Sequence, residues 1–393
     1  MVDTLDHLPP LPLFIRYHDK SITGLTERDE LGIYHVLRLH GRVRHLELAL
    51  LPSILHKAVV LMDGCFPKLE HLSLSFASTI ESGLPLTLPK NFLAPNLRHL
   101  DLPSISPPKR LRVLTSTVSL VKLVLSNIRT ASYFRPRLLV ARLSSLPQLE
   151  ELFIGFSIPI PRPSTERELL GEQGTPVTLP SLTDLQFEGV GAYLESFVAQ
   201  IMAPHLEQLG ITLFNQVAFA LPHLSYLIDM TKTFKLPCAA VRFHPREVYI
   251  TTIHHGSGRG PFLLRVNCNQ LDWQIDCAAQ ICHTLIPALS CVEQLTLYHR
   301  LGIPNELRNG VIDSATWHDL LRSFVGVQRL HIDSGLLEEL SRALQVEGIG
   351  LDPGFLPNLQ TIRAGRNVFT SFIDTRRAEG RPVQFSRGYI QNP

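Results

Sequence analysis

"FPKLEHLSLSF", Phe66 to Phe76, places leucine at Leu69, Leu72 and Leu74 with polar residues between them. Side chains in extended chain alternate between two faces, so Leu72 and Leu74 point one way and His71, Ser73 and Ser75 the other. The phrase returns as "APNLRHLDLPS" from Ala94 and "LPQLEELFIGF" from Leu146. A phrase that recurs at a fixed interval decides the architecture before any single element does.

Aligned on its two anchors and the following large residue, the phrase reads "VRHLEL" at Val43, "LEHLSL" at Leu69, "LRHLDL" at Leu97, "LVKLVL" at Leu120 and "LEELFI" at Leu149. It continues as "LTDLQF" at Leu182, "LEQLGI" at Leu206, "CAAVRF" at Cys238, "VEQLTL" at Val292, "VQRLHI" at Val327 and "LQTIRA" at Leu359, with a degenerate "FLLRVNC" from Phe262 after the Cys238 copy. Leu46 and Ile362 stand 316 residues apart, which over eleven intervals is a period of about 29, at the long end of the leucine-rich-repeat range. The usual asparagine ladder after each strand is missing, and the expected position after "LVKLVL" holds Ile128.

Between copies the apolar spacing becomes helical. Trp317, Leu320, Leu321, Phe324 and Val325 share one helix face, as do Leu194, Phe197, Val198 and Ile201, and Ile275, Ala278, Ala279 and Cys282. Helices are also expected near Glu27 to His40 and near Val368 to Glu379. Pro67, Pro95, Pro147, Pro180, Pro204 and Pro357 each precede the first leucine of their copy by two residues, where they are expected to end a helix and set the chain extended. A strand with a returning helix cannot bury its apolar face alone, so the units must stack. The expected fold is an α/β leucine-rich-repeat-like solenoid of about twelve irregular repeats, with parallel strands on a concave face and helices on the convex face. It spans 27–393 after an amino-terminal extension over 1–26. Loops from Ser157 and from Thr251 break the spacing.

Composition narrows the function. The 393 residues are 45% apolar and 18% charged, with a net charge of +2. No run of like charge gives the footprint of a nucleic-acid or acidic-membrane binder. Asp3 and Asp6 stand where a secretory signal would be basic, no apolar run of about 18 residues occurs, and no Asn-x-Ser/Thr acceptor is present, so an intracellular protein, cytoplasmic or nuclear, is expected.

Candidates for chemistry are weak. Cys277, Cys282, His283 and Cys291 lack compact zinc spacing and read as core thiols. His254 and His255 lie among glycines without the residues of a phosphate loop. No nucleophile elbow occurs, and paired carboxylates such as Glu150 with Glu151 fall on solvated surfaces. No enzyme activity, cofactor or metal is expected. The outward strand positions are more informative: His71, His99, Asp101, Lys122, Glu151, Phe153, Asp184, Gln186, Arg242, Arg329 and His331 would form a mixed polar face with Phe153 as an apolar anchor. Any one of them reads equally well as a solvated strand residue.

The chain resembles a fungal family of F-box leucine-rich-repeat-like proteins. The likeness is carried by "LPLFIRYHD" at Leu11, "SILHKAVVLMDGCFPKLEHLSL" at Ser53, "FLAPNLRHLDL" at Phe92, "YFRPRLLVARLSSLPQLEELFIGF" at Tyr133, "AYLESFVAQIMAPHLEQLGI" at Ala192 and "SFIDTRRAEGRPVQF" at Ser371. The resemblance implies target recognition by the repeats, with an amino-terminal F-box docking onto the adaptor of a ubiquitin ligase. Leu8 and Pro9 offer the opening of an F-box, whereas Pro12 stands where its first helix would run. The F-box is therefore expected to be missing, and the adaptor to be a partner only if one is supplied. The expected partner is a protein of unspecified identity. The alternative is a stand-alone scaffold or decoy without ligase association, and the third reading is a metal-binding or enzymatic protein.

Overall fold

The computed structural model of the chain describes residues 11–18, 25–77, 86–106, 112–129, 132–157, 175–214, 218–234, 237–252, 260–268, 271–299, 314–345 and 355–388. They divide into two compact units, Met1–Gly189 with Ser196–Leu206, and Val190–Glu195 with Glu207–Pro393.

In the first unit the repeated phrases become parallel strands that follow one another in chain order after an added first strand: β1 (Leu13–His18), then β2 (Val43–Leu50), β3 (His71–Phe76), β4 (His99–Asp101), β5 (Lys122–Ile128), β6 (Glu151–Phe156) and β7 (Asp184–Gly189). The ladders are in register, so the second anchors form one column: Leu46, Leu72, Leu100, Leu123, Leu152 and Leu185. All are buried. Fully burying a leucine stabilises by roughly 1.5–3 kcal/mol, and the column repeats that gain at each strand.

The second unit contains β8 (Gln208–Leu213), β9 (Cys238–His244), β10 (Glu247–Thr252), β11 (Phe262–Asn267), β12 (Gln294–His299), β13 (Arg329–Ile332), β14 (Thr361–Ala364) and β15 (Gln384–Arg387). Their lateral order is β8, β11, β10, β9, β12, β13, β14, β15. This corrects the expectation of a wholly parallel array. β10 runs antiparallel to both neighbours, because only Pro245 and Arg246 separate it from β9, and a two-residue connection can join only antiparallel strands. The degenerate Phe262 copy therefore lies beside β8, and the Cys238 copy beside β12. Within this unit Leu209 faces Phe262 across β8 and β11, and Ala239, Leu295, Leu330 and Ile362 face one another in turn from β9 to β14.

Each of the six copies marked by a proline is approached through a tight turn rather than through a helix end. Leu69 N–H donates to Phe66 O, Leu97 to Ala94, Leu149 to Leu146, Leu182 to Leu179, Leu206 to Ala203 and Leu359 to Leu356, at 3.1–3.4 Å. In every case the proline is the second residue of a four-residue turn, where its fixed φ is already correct. The third residue adds a link to the neighbouring copy. Asn96 Nδ2 donates to Pro67 O at 2.7 Å, Ser181 Oγ to Pro147 O at 2.8 Å and Asn358 Nδ2 to Val325 O at 3.0 Å. A polar ladder thus precedes the strands.

Helices cover the inner face: α1 (Glu27–Arg38), α2 (Pro52–Val60), α3 (Pro136–Leu143), α4 (Gly191–Val198), α5 (Pro222–Met230), α6 (Leu271–Thr284), α7 (Ser314–Arg322), α8 (Leu337–Leu344) and α9 (Thr370–Ala378). α1 starts at Thr26, whose side chain accepts from Asp29 N–H. α6 buries Ile275, Ala278, Ala279 and Cys282, and α7 buries Trp317, Leu320 and Leu321, as their spacing requires. Three expected helical positions fall elsewhere, among them Phe324, which is buried just past the end of α7. Ile201 pairs as a short strand with Val177, and Val325 is exposed at the turn after α7. No helix among the described residues is long and apolar enough to cross a membrane.

The segment Leu13–His18, which the sequence placed in the amino-terminal extension, is the edge strand beside β2. Most of the loop from Ser157, and residues 253–259 with His254 and His255, lie outside the described residues.

Candidate interaction face

Positions between the leucines point away from the helices and line up across strands as the leucines do. In the first unit one outward column runs Phe14, His45, His71, His99, Lys122, Glu151, Asp184, and the next runs Arg16, Glu47, Ser73, Asp101, Val124, Phe153, Gln186. The expected residues His71, His99, Asp101, Lys122, Glu151, Phe153, Asp184 and Gln186 therefore stand together. Lys122 pairs with Glu151 directly beside it. Ser73 Oγ donates to Asp101 at 3.4 Å, and Gln186 Nε2 donates to Asp184 at 3.3 Å. The Phe153 ring lies over Gly155, where a Cβ would come within 3.3 Å of it.

The column changes character from imidazole to carboxylate along the unit. Burial, then the neighbouring His45 and His99, pushes His71 down to about 4. Burial also lowers His99, reinforced by Arg98 and Lys122. Burial raises the carboxyls of Asp184, at the other end, and of Asp101, in the next column, above the ordinary aspartate value.

In the second unit the outward columns hold Arg242, Arg329 and His331 with residues that sequence reasoning missed. Arg242 faces Tyr298 and Tyr249, and Tyr249 faces Arg265, so arginine and tyrosine alternate across four strands. The Arg265 guanidinium lies 4.9 Å from the Tyr249 ring centroid, and its Nε is 3.6 Å from Glu247. Tyr249 Oη donates to Glu247. His331 sits between Thr296 and Arg363, and Arg329 between Gln294 and Thr361. The Cys238 copy is displaced by two residues from its expected alignment, which puts Arg242 beside Tyr298 instead of Thr296. An even displacement leaves Arg242 on the outward face. Arg363 was legible as the residue after Ile362. Tyr249 was hidden because no strand is expected just before the loop that starts at Thr251, and Arg265 because the Phe262 copy is too degenerate to fix its outward positions.

The cysteine group does not converge. Cys277 and Cys282 are buried on α6, while His283 and Cys291 are exposed. Hydrogen bonding to Cys268, then burial, raises Cys277, and burial raises Cys282, so both are held as thiols. A different set could hold a metal: the donor atoms of His45, Glu47 and His71 all lie within 4.8 Å of one another.

These features define a mostly parallel α/β protein built on columns of leucine, with a charged and aromatic face opposite the helices. No family model matches the sequence, and no curated protein matches it. Among solved structures the chain is similar to the leucine-rich repeat-containing protein LegL7 from Legionella pneumophila, at 15% identity and a TM-score of 0.24, over 68% of this chain and 83% of that one.

Proposed function

We propose that the chain is a non-enzymatic protein-recognition module of the leucine-rich-repeat-like solenoid class, and that its second unit binds an acidic polypeptide segment. One observation carries the reading: among the described residues, the outward strand positions of that unit bear Arg242, Arg265, Arg329 and Arg363 against a single carboxylate, Glu247, with Tyr249 and Tyr298 between them. Arginine and tyrosine dominate the energetics of protein interfaces, because one forks onto carboxylates and the other buries area with little loss of rotamer freedom.

The test is selection of Asp/Glu-rich peptides from a displayed library by the full chain, repeated with the Arg242→Glu/Arg329→Glu/Arg363→Glu variant. Enrichment that disappears in the variant and weakens with salt supports the reading. Enrichment that survives the charge reversals removes it.

The resemblance of the repeated phrases to F-box receptors supports a narrower form, in which the bound segment belongs to a target for ubiquitination. A pull-down with purified ligase adaptor tests that form. Binding is expected only when an F-box is supplied, and lengthened target half-lives in the presence of this chain would favour a decoy.

A further inference from the structure

The residues that begin the outward face of the first unit do not suit a peptide surface. Lone histidines scattered over a sheet would leave their rings solvated and apart. Here His45 and His71 face each other on β2 and β3 with ring centroids 4.1 Å apart and planes within 7°, and His99 continues the column at 5.5 Å from His71. Stacking two imidazoles gives little stability if either becomes charged. Their ring nitrogens do, however, converge on the carboxylate one column over.

Glu47 is two residues beyond His45 on the same strand and face. His45 Nε2 lies 3.5 Å from Glu47 Oε2, and His18 Nε2 on β1 lies 2.9 Å from Glu47 Oε1. Three neighbouring strands thus deliver imidazoles toward one carboxylate. Zinc takes nitrogen and carboxylate ligands at about 2.0–2.2 Å, so two ligands of a tetrahedral ion stand roughly 3.3 Å apart. The 4.8 Å spread of the His45, Glu47 and His71 donors must therefore close by only about an ångström or so, within reach of side-chain rotation.

We propose that His45, Glu47 and His71 bind one divalent transition-metal ion of the zinc class, with water in the fourth position. Imidazole with carboxylate selects zinc, nickel or copper over magnesium and calcium, which prefer sites made of oxygen alone. The donor set is mixed enough to hold zinc without a thiolate. Arg16 is the competitor: its Nε lies 2.5 Å from Glu47 Oε2, and it must release that oxygen for the ion to bind. Its side chain is 69% exposed on the edge strand, so it can leave into solvent. The site lies wholly within the first unit and is separate from the arginine and tyrosine face proposed to bind peptide.

The experiment is titration of the purified full chain with Zn2+ against a chromophoric chelator, with Co2+ absorption as a report of tetrahedral nitrogen ligation. The wild type should take up one equivalent and give tetrahedral cobalt bands. His45→Gln and His71→Gln should each weaken binding at least tenfold, and the double variant should abolish it. Arg16→Ala should tighten binding, a result that a purely structural role for the ion pair would not produce. Because all these side chains are at least partly exposed, the variants are expected to fold, and circular dichroism checks this. An equivalent that persists in the double variant, or no uptake by a folded wild type, overturns the proposal.

Discussion

Leu100 lies directly opposite Leu123 across two neighbouring parallel strands, and both are buried. Their contact is one link in a column that includes Leu46, Leu72, Leu152 and Leu185, so a change at one link exposes its neighbours on both sides.

Leu123→Ala should therefore cost about 2–5 kcal/mol in urea unfolding, the usual range for a buried leucine whose surroundings cannot collapse. Val124→Ala, one residue along on the outward face, should cost less than about 1 kcal/mol. Equal losses at the two positions would mean that the faces are assigned wrongly.

Glu195 supports the start of α5 from another element. Its carboxylate oxygens accept from His223 N–H and Leu224 N–H, each at 2.9 Å, where the helix begins with Pro222 and has no side-chain cap. Glu195→Ala leaves two donors without these partners and should destabilise by about 1–3 kcal/mol. Glu195→Gln keeps one acceptor oxygen and should cost less, as thermal or urea unfolding of the pair would show.

Gly326 fills a place where no side chain fits. A Cβ there would stand 2.3 Å from the backbone oxygen of Ser290. Gly326→Ala should cost about 1–3 kcal/mol through the backbone shift it forces. Gly41, which has nothing within 4 Å of its Cβ position, provides the control, and Gly41→Ala should be neutral or stabilising by up to about 1 kcal/mol.

His331 should make stability depend on pH. Burial lowers its pKa from 6.5, helped by Arg363 and Arg329. A histidine whose folded value is depressed takes up its proton more readily when unfolded. Its contribution is therefore present above the unfolded value of about 6.5 and lost as pH falls below it. The unfolding midpoint should fall more between about pH 7.5 and about pH 5.5 in the wild type than in His331→Gln. Parallel slopes for the two proteins would remove His331 from the account.

Much of the fold was legible because alternation leaves little freedom. Once Leu72 and Leu74 are buried, His71 and Ser73 must face outward, and the same logic places His99, Lys122 and Glu151. The two-residue displacement at Cys238 went unseen for the same reason, since an even slip keeps every side chain on its face. β10 was missed because Pro245 and Arg246 lack the Asn-Gly signature of a tight hairpin, although Val248 and Ile250 alternate as a strand requires. Prolines were read as helix terminators, but their spacing from the first leucine matched a turn equally well. The site was legible as a face and not as a set of partners. Whether His45 meets His71 or Arg242 meets Tyr298 depends on registers that only the stacked strands fix.

The register between neighbouring strands is the claim on which the columns, the face and the metal site all depend, and paired cysteines test it most directly. Ser73 and Asp101 are cross-strand partners, so Ser73→Cys with Asp101→Cys places two thiols within the reach of a disulfide, about 4.4–6.8 Å between α-carbons. Ser73→Cys with Val124→Cys spans two strand spacings, roughly 10 Å, beyond that reach. Peptide mapping after mild oxidation should find the first bridge and not the second. A bridge to position 124, or none to position 101, would contradict the stacked, in-register strands.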